Sequence, residues 1–268
     1  MRSVVERVPT RIALIGVAVG ALLALLCFAP AAWLARAVAS ATDQHLLLAD
    51  ARGSIWSGSA VPVLTGGPGS RDASALPGRL AWSLGLHLGT GGPALTVHAR
   101  QACCIQGELQ LRVRPGLGTL KLTLPPSTGV VGQWPAAWLI GLGTPFNTMQ
   151  LAGTLRLSSA NGLEFETARG RWLLGGSAAL VMDEMSSPVT TLPTLGSYRL
   201  DLTGGAITKL VLSTLAGPLR LSGSGQFTAG GVRFRGEARA DAGSENALNN
   251  LLNIIGRRHG AVAVLSIG

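Results

Sequence analysis

Residues Leu219–Ala240 read LRLSGSGQFTAGGVRFRGEARA, and this stretch decides the fold. Leu219, Leu221, Gly223, Gly225 and Phe227 share one face of a first segment. Val232, Phe234, Gly236, Ala238 and Ala240 share one face of a second, with Arg233, Arg235, Glu237 and Arg239 opposite. A period of two marks half-buried strands, because successive side chains on a pleated backbone point to opposite faces. Ala229-Gly230-Gly231 supplies the turn between them, so the pair reads as an antiparallel hairpin.

The same alternation runs back through the chain. Leu80, Trp82, Leu84, Leu86 and Leu88 oppose Arg79, Ser83, Gly85 and His87. Leu95 and Val97 oppose Thr96, His98 and Arg100, and Leu109, Leu111 and Val113 oppose Glu108, Gln110, Arg112 and Arg114. Leu120, Leu122 and Leu124 follow, then Met149, Leu151, Leu155 and Leu157, then Leu200 with Leu202 and Leu210 with Leu212. No strand–helix alternation points to a parallel α/β fold. The expectation is a mainly β protein: an elongated, curled antiparallel sheet of about a dozen strands with one wet face and one or two short helices.

Two segments interrupt the strands. Gly132–Gly143 (GQWPAAWLIGLG) carries Trp134 and Trp138 four apart, as a short helix or an apolar plug over the sheet. Ser244–Gly256 (SENALNNLLNIIG) reads as a helix, with Ser244 as N-cap, an apolar face of Leu248, Leu251, Leu252 and Ile255, and Gly256 as stop. A final strand is expected over 260–267, and a Gly-, Pro- and Ser-rich loop over 65–77.

Ahead of the sheet lies an uncharged apolar run of 24 residues, Ile12–Ala35. As one helix it rises about 36 Å, enough to cross a hydrocarbon core of about 30 Å. Arg2, Arg7 and Arg11 precede it against Glu6, which by the positive-inside rule places that end in the cytoplasm. A cleaved signal peptide has a shorter apolar region, although Ala37-Val38-Ala39 offers a cleavage site. Leu26 before Cys27 argues against a lipoprotein site, and a buried core helix would show a polar face. Gly16 and Gly20 have the spacing of a helix-dimer motif. The expected organisation is a cytoplasmic start over 1–11, a single transmembrane anchor over 12–35, a juxtamembrane segment over 36–52 in which the stretch from Ala35 to Asp50 suits a continuing helix, and a β-rich periplasmic domain over 53–268. That is single-pass inner-membrane topology.

Apolar residues make up 47 % of the chain and charged residues 13 %, which excludes a disordered protein. The net charge is +9. Its arginines are spread through strand patterns without interleaved aromatics, so nucleic acid is not expected as a partner; an anionic membrane surface or acidic proteins account for the charge. Cys103 and Cys104 are adjacent, and on a regular strand they point to opposite faces. They are two thiols, free or paired locally.

The search for chemistry finds no phosphate loop and no nucleophile elbow. His87 and His98 fall on polar faces of neighbouring strands and read as solvated residues rather than a metal pair. Asp183 and Glu184 read as a solvated turn. Glu164 and Glu166 share a strand face that suits a cation or an arginine neighbour. No catalytic, metal or cofactor site is expected. The candidates for partner binding are Arg233, Arg235 and Arg239, on one strand face.

Three stretches resemble the type II secretion system protein N family: Gly53-Ser54-Ile55-Trp56-Ser57-Gly58, with Gly53, Trp56 and Gly58 in its motif; the Leu80–Trp82 strand; and the C-terminal ensemble. That ensemble carries Gly223 and Gly225 in L-x-G-x-G-x-F, Phe234 and Gly236 in F-x-G-x-A-x-A, a Leu-rich helix ending at Gly256 and a last strand. The resemblance implies a non-enzymatic accessory component of the machine that exports folded proteins across the outer membrane of Gram-negative bacteria. Its implied partners are other inner-membrane platform proteins, with the secretin as a further candidate. The same style is similar to the broader AsmA-like group of membrane-anchored β proteins, some associated with lipid traffic. That makes a lipid-binding module the alternative reading.

Overall fold

A computed structural model describes residues 10–89, 92–116, 118–168, 171–228 and 231–268. The basic start with Arg2 and Arg7, and Ala229-Gly230 of the expected turn, lie outside the described residues.

Two helices open the chain, α1 (Thr10–Cys27) and α2 (Ala31–Ala41). The single helix expected over 12–35 is therefore divided, and Pro30 divides it. Proline has no N–H to donate and drives the residue before it out of helical conformation. The Ala29 carbonyl instead accepts the Ile55 N–H at 2.9 Å, and Pro30 bridges to Ser54. Among the described residues no helix is long and apolar enough to cross a membrane. The helix also does not continue to Asp50. It stops at Ala41, and β1 (Leu46–Gly53) begins soon after.

The strands form one antiparallel sheet that is not closed on itself. β1 pairs with β2 (Ser57–Thr65), whose two ends carry β3 (Ala73–Ala75) and β4 (Leu80–Gly89). A meander follows through β5 (Gly92–Arg100), β6 (Leu109–Gly116) and β7 (Thr119–Leu124). Next, β8 (Val130–Pro135) and β9 (Ala152–Ser158) pair around a 3-10 turn, Ala136–Leu142, and a one-turn helix, α3 (Phe146–Met149). The short-helix reading of 132–143 thus holds for its second half, while Trp134 belongs to β8.

β10 (Leu163–Ala168) returns to pair with β7, and β11 (Arg171–Ser186) then spans the sheet. The first part of β11 pairs with β10 and the later part with β9, on the same side; β12 (Gly196–Gly205) lies on its other side. A second meander runs through β13 (Thr208–Ala216), β14 (Leu219–Thr228) and β15 (Gly231–Ala240). α4 (Glu245–Ile255) crosses over, and β16 (Arg257–His259) and β17 (Val262–Ile267) end the chain, with β17 on β15. The described residues hold 17 strands where about a dozen were expected. The hairpin that opened the sequence reading is present, with Leu219 opposite Ala240 and Phe227 opposite Val232, but Gly231, expected in the turn, already belongs to β15 and pairs with Thr228.

Several local expectations are corrected. Met149 ends α3 and Gln150 is left-handed (φ 45°), so the strand expected from Met149 starts at Ala152. Asp183 and Glu184 are not in a turn but inside β11, where Glu184 (φ 48°) makes a bulge. The loop expected over 65–77 contains β3. Of the two alternatives left for Cys103 and Cys104, the structure has the local pairing: they are bonded to each other in a turn between β5 and β6.

The core lies on the inner face of the C-terminal meander. Leu248, Leu251 and Leu252 of α4 are fully buried there against Leu219, Ala238 and Ala263, and Ala136, Met149 and Leu155 join from the other end. Ser244 precedes α4 as expected but makes no side-chain cap hydrogen bond. Gly256 is extended rather than left-handed; it is required because a β-carbon there would stand 2.6 Å from the Val264 carbonyl oxygen of β17.

Candidate functional site

Of the motif glycines, Gly58, Gly223, Gly225 and Gly236 make room for aromatic rings, and Gly53 makes room for backbone. Gly53 is left-handed (φ 86°), and a β-carbon there would stand 2.5 Å from the Ser57 carbonyl. The turn it starts presents the Ile55 carbonyl to Trp82, whose Nε1 donates at 3.1 Å, and the Trp56 carbonyl to the Leu84 N–H at 2.7 Å. Trp82 is buried with Ala31 of α2 and Ala60 of β2. In the second motif the Phe234 ring lies over Gly223, Gly225 and Gly236 of the inner face. These residues build the sheet; none is placed for chemistry.

Arg233, Arg235 and Arg239 sit exposed on the outer face of β15, as the alternation required. The sheet adds a neighbour that sequence reading missed. Lys209 of β13 is opposite Gln226 of β14, and Gln226 is opposite Arg233, so one polar row runs Lys209–Gln226–Arg233. The adjacent row places Ser224 and Ser266 on either side of Arg235. Lys209, Arg233 and Arg235 line an open basic pocket of about 730 Å3. Arg239 belongs to a different setting. Its guanidinium meets Glu237 at 2.8 Å, and its cross-strand neighbour Arg220 is bound by Asp241 at 2.6 Å. That bond holds the Asp241 carboxyl below the ordinary carboxylate value and lifts the Arg220 guanidinium. The three predicted arginines thus divide into an open pair and a neutralised third.

Beneath this face, on the inner side, an apolar cavity of about 600 Å3 lies between α3 and α4. Leu200, Leu212, Leu221 and Leu265 of the sheet line it, with Phe146 of α3 and Ile255 of α4. Tyr198 also lines it, buried, its hydroxyl 3.0 Å from the Leu195 carbonyl oxygen and 3.1 Å from that of Leu219. Burial pushes the Tyr198 phenol well above its ordinary value, so it stays neutral.

The remaining candidates do not converge. His98 pairs with Glu108 (Nδ1 to Oε1 2.8 Å), and Arg100 reaches the same carboxylate at 3.1 Å. The hydrogen bond from Arg100 holds the Glu108 carboxyl down. His98 stands opposite Ser83, four residues along β4 from His87, which is about 13 Å at strand spacing. Glu164 is paired with Lys121, a cation neighbour of the kind its strand face suggested, and Asp183 with Arg156. Among the described residues no group of three or more His, Cys, Asp or Glu side chains is close enough to hold a metal ion.

One protein family, described as type II secretion system (T2SS), protein N, matches residues 44–265. Neither a curated protein nor a solved structure matches the chain. The matched segment takes in β1 through most of β17, both glycine–aromatic motifs and the basic face, and leaves out α1 and α2. The chain belongs to the type II secretion system protein N family.

Proposed function

We propose that this protein is a non-enzymatic accessory component of the type II secretion system. Family membership supports a role in type II secretion and contact with other components of that machine. In this reading the sheet is a docking surface, and Lys209, Arg233 and Arg235 receive an acidic patch on a partner. The observation that carries the choice is the cross-strand row itself: the cross-strand neighbours of these cations are Thr203, Gln226, Ser224 and Ser266, none of them acidic, and Glu237, next along the face from Arg235, is taken up by Arg239. Arg239 contributes at the margin.

The reading places α1 in the inner membrane as a single-pass tether, with the amino end cytoplasmic and the sheet periplasmic. Leu14, Ile15, Val17, Val19, Leu22 and Leu25 are each at least half exposed, a burden that water penalises and hydrocarbon does not. The 18 residues of α1 rise about 27 Å against a core of about 30 Å, and neighbouring residues such as the exposed Phe28 complete the span. The membrane segment then ends before Ala29, because Ala29 and Ala31 are buried against the sheet and Leu34 packs with Trp82.

The test is a crosslinking pull-down from the cell envelope with the full chain. Secretion-platform proteins are expected with the native chain and at least fivefold less with Arg233→Glu/Arg235→Glu. Equal recovery from both would remove the basic row from the interface.

A further inference from the structure

The Cys103–Cys104 bond closes no loop. A disulfide stabilises a fold by restricting the unfolded chain, and the gain grows with the number of residues enclosed. Between neighbours in sequence there is nothing to enclose beyond one peptide group. What the bond constrains is local backbone, in the turn that joins β5 to β6.

That turn is tied to the sheet through its main chain. The Cys104 and Ile105 N–H groups donate to the carbonyl oxygen of the buried Gln101 at 3.2 and 3.1 Å. The Cys104 carbonyl oxygen accepts the Gln133 N–H at 2.7 Å, and Ile105 bridges to Gly132. β8 thus pairs with β9 along one edge and meets the cysteine turn along the other. Gly132 has no room for a side chain there: a β-carbon would stand 2.5 Å from the Trp134 ring and 3.1 Å from the Cys104 carbonyl oxygen. Trp134 in turn packs against the core. Two sulfurs are coupled in this way to a strand edge and a core ring.

The sulfurs differ in access. Cys103 is exposed and Cys104 is buried, so an incoming thiolate meets Sγ of Cys103 and the Cys104 sulfur is the leaving group. The sequence holds three cysteines, and the third, Cys27, lies in α1. The electrons that open the bond therefore come from another molecule.

We propose that Cys103–Cys104 is a reversible redox site, opened by a dithiol protein of the Cys-x-x-Cys class, and that its oxidation state sets how firmly the β5–β6 turn holds β8. The first thiolate of the reductant attacks Sγ of Cys103; the Cys103–Cys104 bond breaks, a mixed disulfide forms, and Cys104 leaves as thiolate and takes a proton from water. The second thiolate of the reductant attacks its own partner sulfur in the mixed disulfide, and Cys103 leaves and is protonated likewise. The chain has gained two electrons and two protons, and the reductant ends as a disulfide. An oxidised protein of the same class restores the bond by the reverse steps. With the bond open, the 103–104 peptide is free to rotate and the Cys104 carbonyl is no longer held toward Gln133. The proposal does not rest on the secretion reading.

The test uses the full chain in detergent micelles, reacted without denaturant with an excess of a reduced Cys-x-x-Cys protein and then alkylated for peptide mass spectrometry. Alkyl groups are expected on Cys103 and Cys104. A reductant whose second cysteine is replaced by serine is expected to be trapped as a mixed disulfide on Cys103. Hydrogen exchange then compares the oxidised and reduced chains. Reduction is expected to raise exchange of the 101–108 and β8 peptides about fivefold, the order for losing one backbone hydrogen bond, and to leave β14 and β15 unchanged. Cys103→Ser/Cys104→Ser is expected to exchange like the reduced chain, with or without reductant. A bond that opens only after denaturation, trapping on Cys104, or unchanged exchange of β8 overturns the proposal. A rise that reaches β14 and β15 equally overturns it as well, because the bond would then be a staple of the whole sheet.

Discussion

A β-carbon on Gly58 would stand 2.6 Å from Cζ2 of Trp82, so the two residues share their place in the sheet only while position 58 has no side chain. The same carbon would meet the Arg52 carbonyl oxygen at 2.6 Å, which is backbone and does not swing aside. Gly58→Ala is expected to destabilise the fold by about 1–3 kcal/mol, the usual cost of overpacking. Trp82→Phe keeps most of the ring but loses the bond to Ile55, an expected cost of about 0.5–1.5 kcal/mol. Denaturant unfolding of the full chain followed by circular dichroism measures both. Equal stability of Gly58→Ala and the native chain would show that the sheet opens there without penalty.

The second glycine–aromatic contact predicts a coupling. Gly223→Ala collides with the Phe234 ring, and Phe234→Ala empties a buried site at a cost of about 3–5 kcal/mol. Because one change fills what the other empties, the double variant is expected to be less destabilised than the sum, by about 0.5–3 kcal/mol. Strict additivity would mean that the two side chains do not compete for the same volume.

The acid limb of the stability curve follows from three carboxyls. Asp50 is held down first by the hydrogen bond from Arg79 and then by that from Arg52, Glu108 first by Arg100, and Asp241 first by Arg220. A folded pKa below the unfolded value gives a contribution that is complete above the unfolded pKa and lost as pH falls through the folded one. With unfolded values of about 3.9 for Asp and about 4.3 for Glu, the loss begins near pH 4 and continues below it. All three groups are exposed, so each effect is small. Asp241→Asn is expected to flatten part of this limb by lowering stability slightly at pH 7 and leaving it nearly unchanged at the acid end; a loss of native-chain stability near pH 6 instead would point to another group.

The cysteine arrangement is directly countable. Alkylation of the denatured, unreduced chain is expected to modify Cys27 alone, and after reduction all three cysteines. Three adducts without reduction would show that Cys103 and Cys104 are thiols. Cys104 is buried and its carbonyl accepts the Gln133 N–H at 2.7 Å, so this turn also holds β8 in place.

Where alternation was unbroken the fold could be read directly, as in β4 to β7 and in the β14–β15 hairpin. It failed where geometry interrupts the period. β1 begins Leu46-Leu47-Leu48 without alternation. β11 is bulged between Leu174 and Ser177 and again between Met182 and Met185, which hid the place of Asp183 and Glu184. The division of the N-terminal helix was written at Pro30, but the clamp that fixes it there, Ile55 to Ala29, joins distant parts of the chain. Arg233 and Arg235 were visible as a face; Lys209 entered their row only through pairing of β13 with β14. The apolar cavity depends on how α3 and α4 leave a gap over the sheet, and no local spacing encodes that.

β11 has consequences for assembly. Most strands join their neighbours through short connections, so the meander ending at β7 and the one beginning at β12 can each form from contacts near in sequence. β11 instead gathers partners from three places, with Leu174 facing Phe165, Leu180 facing Leu157 on one side, and Leu200 on the other. The pairing of Leu124 with Leu163 beside it closes a long loop. Non-local pairing of this kind is slow because chain entropy is lost before contacts repay it. The seam along β11 is then the last part of the sheet to zip, and the place where a half-formed molecule still presents bare strand edges to its neighbours.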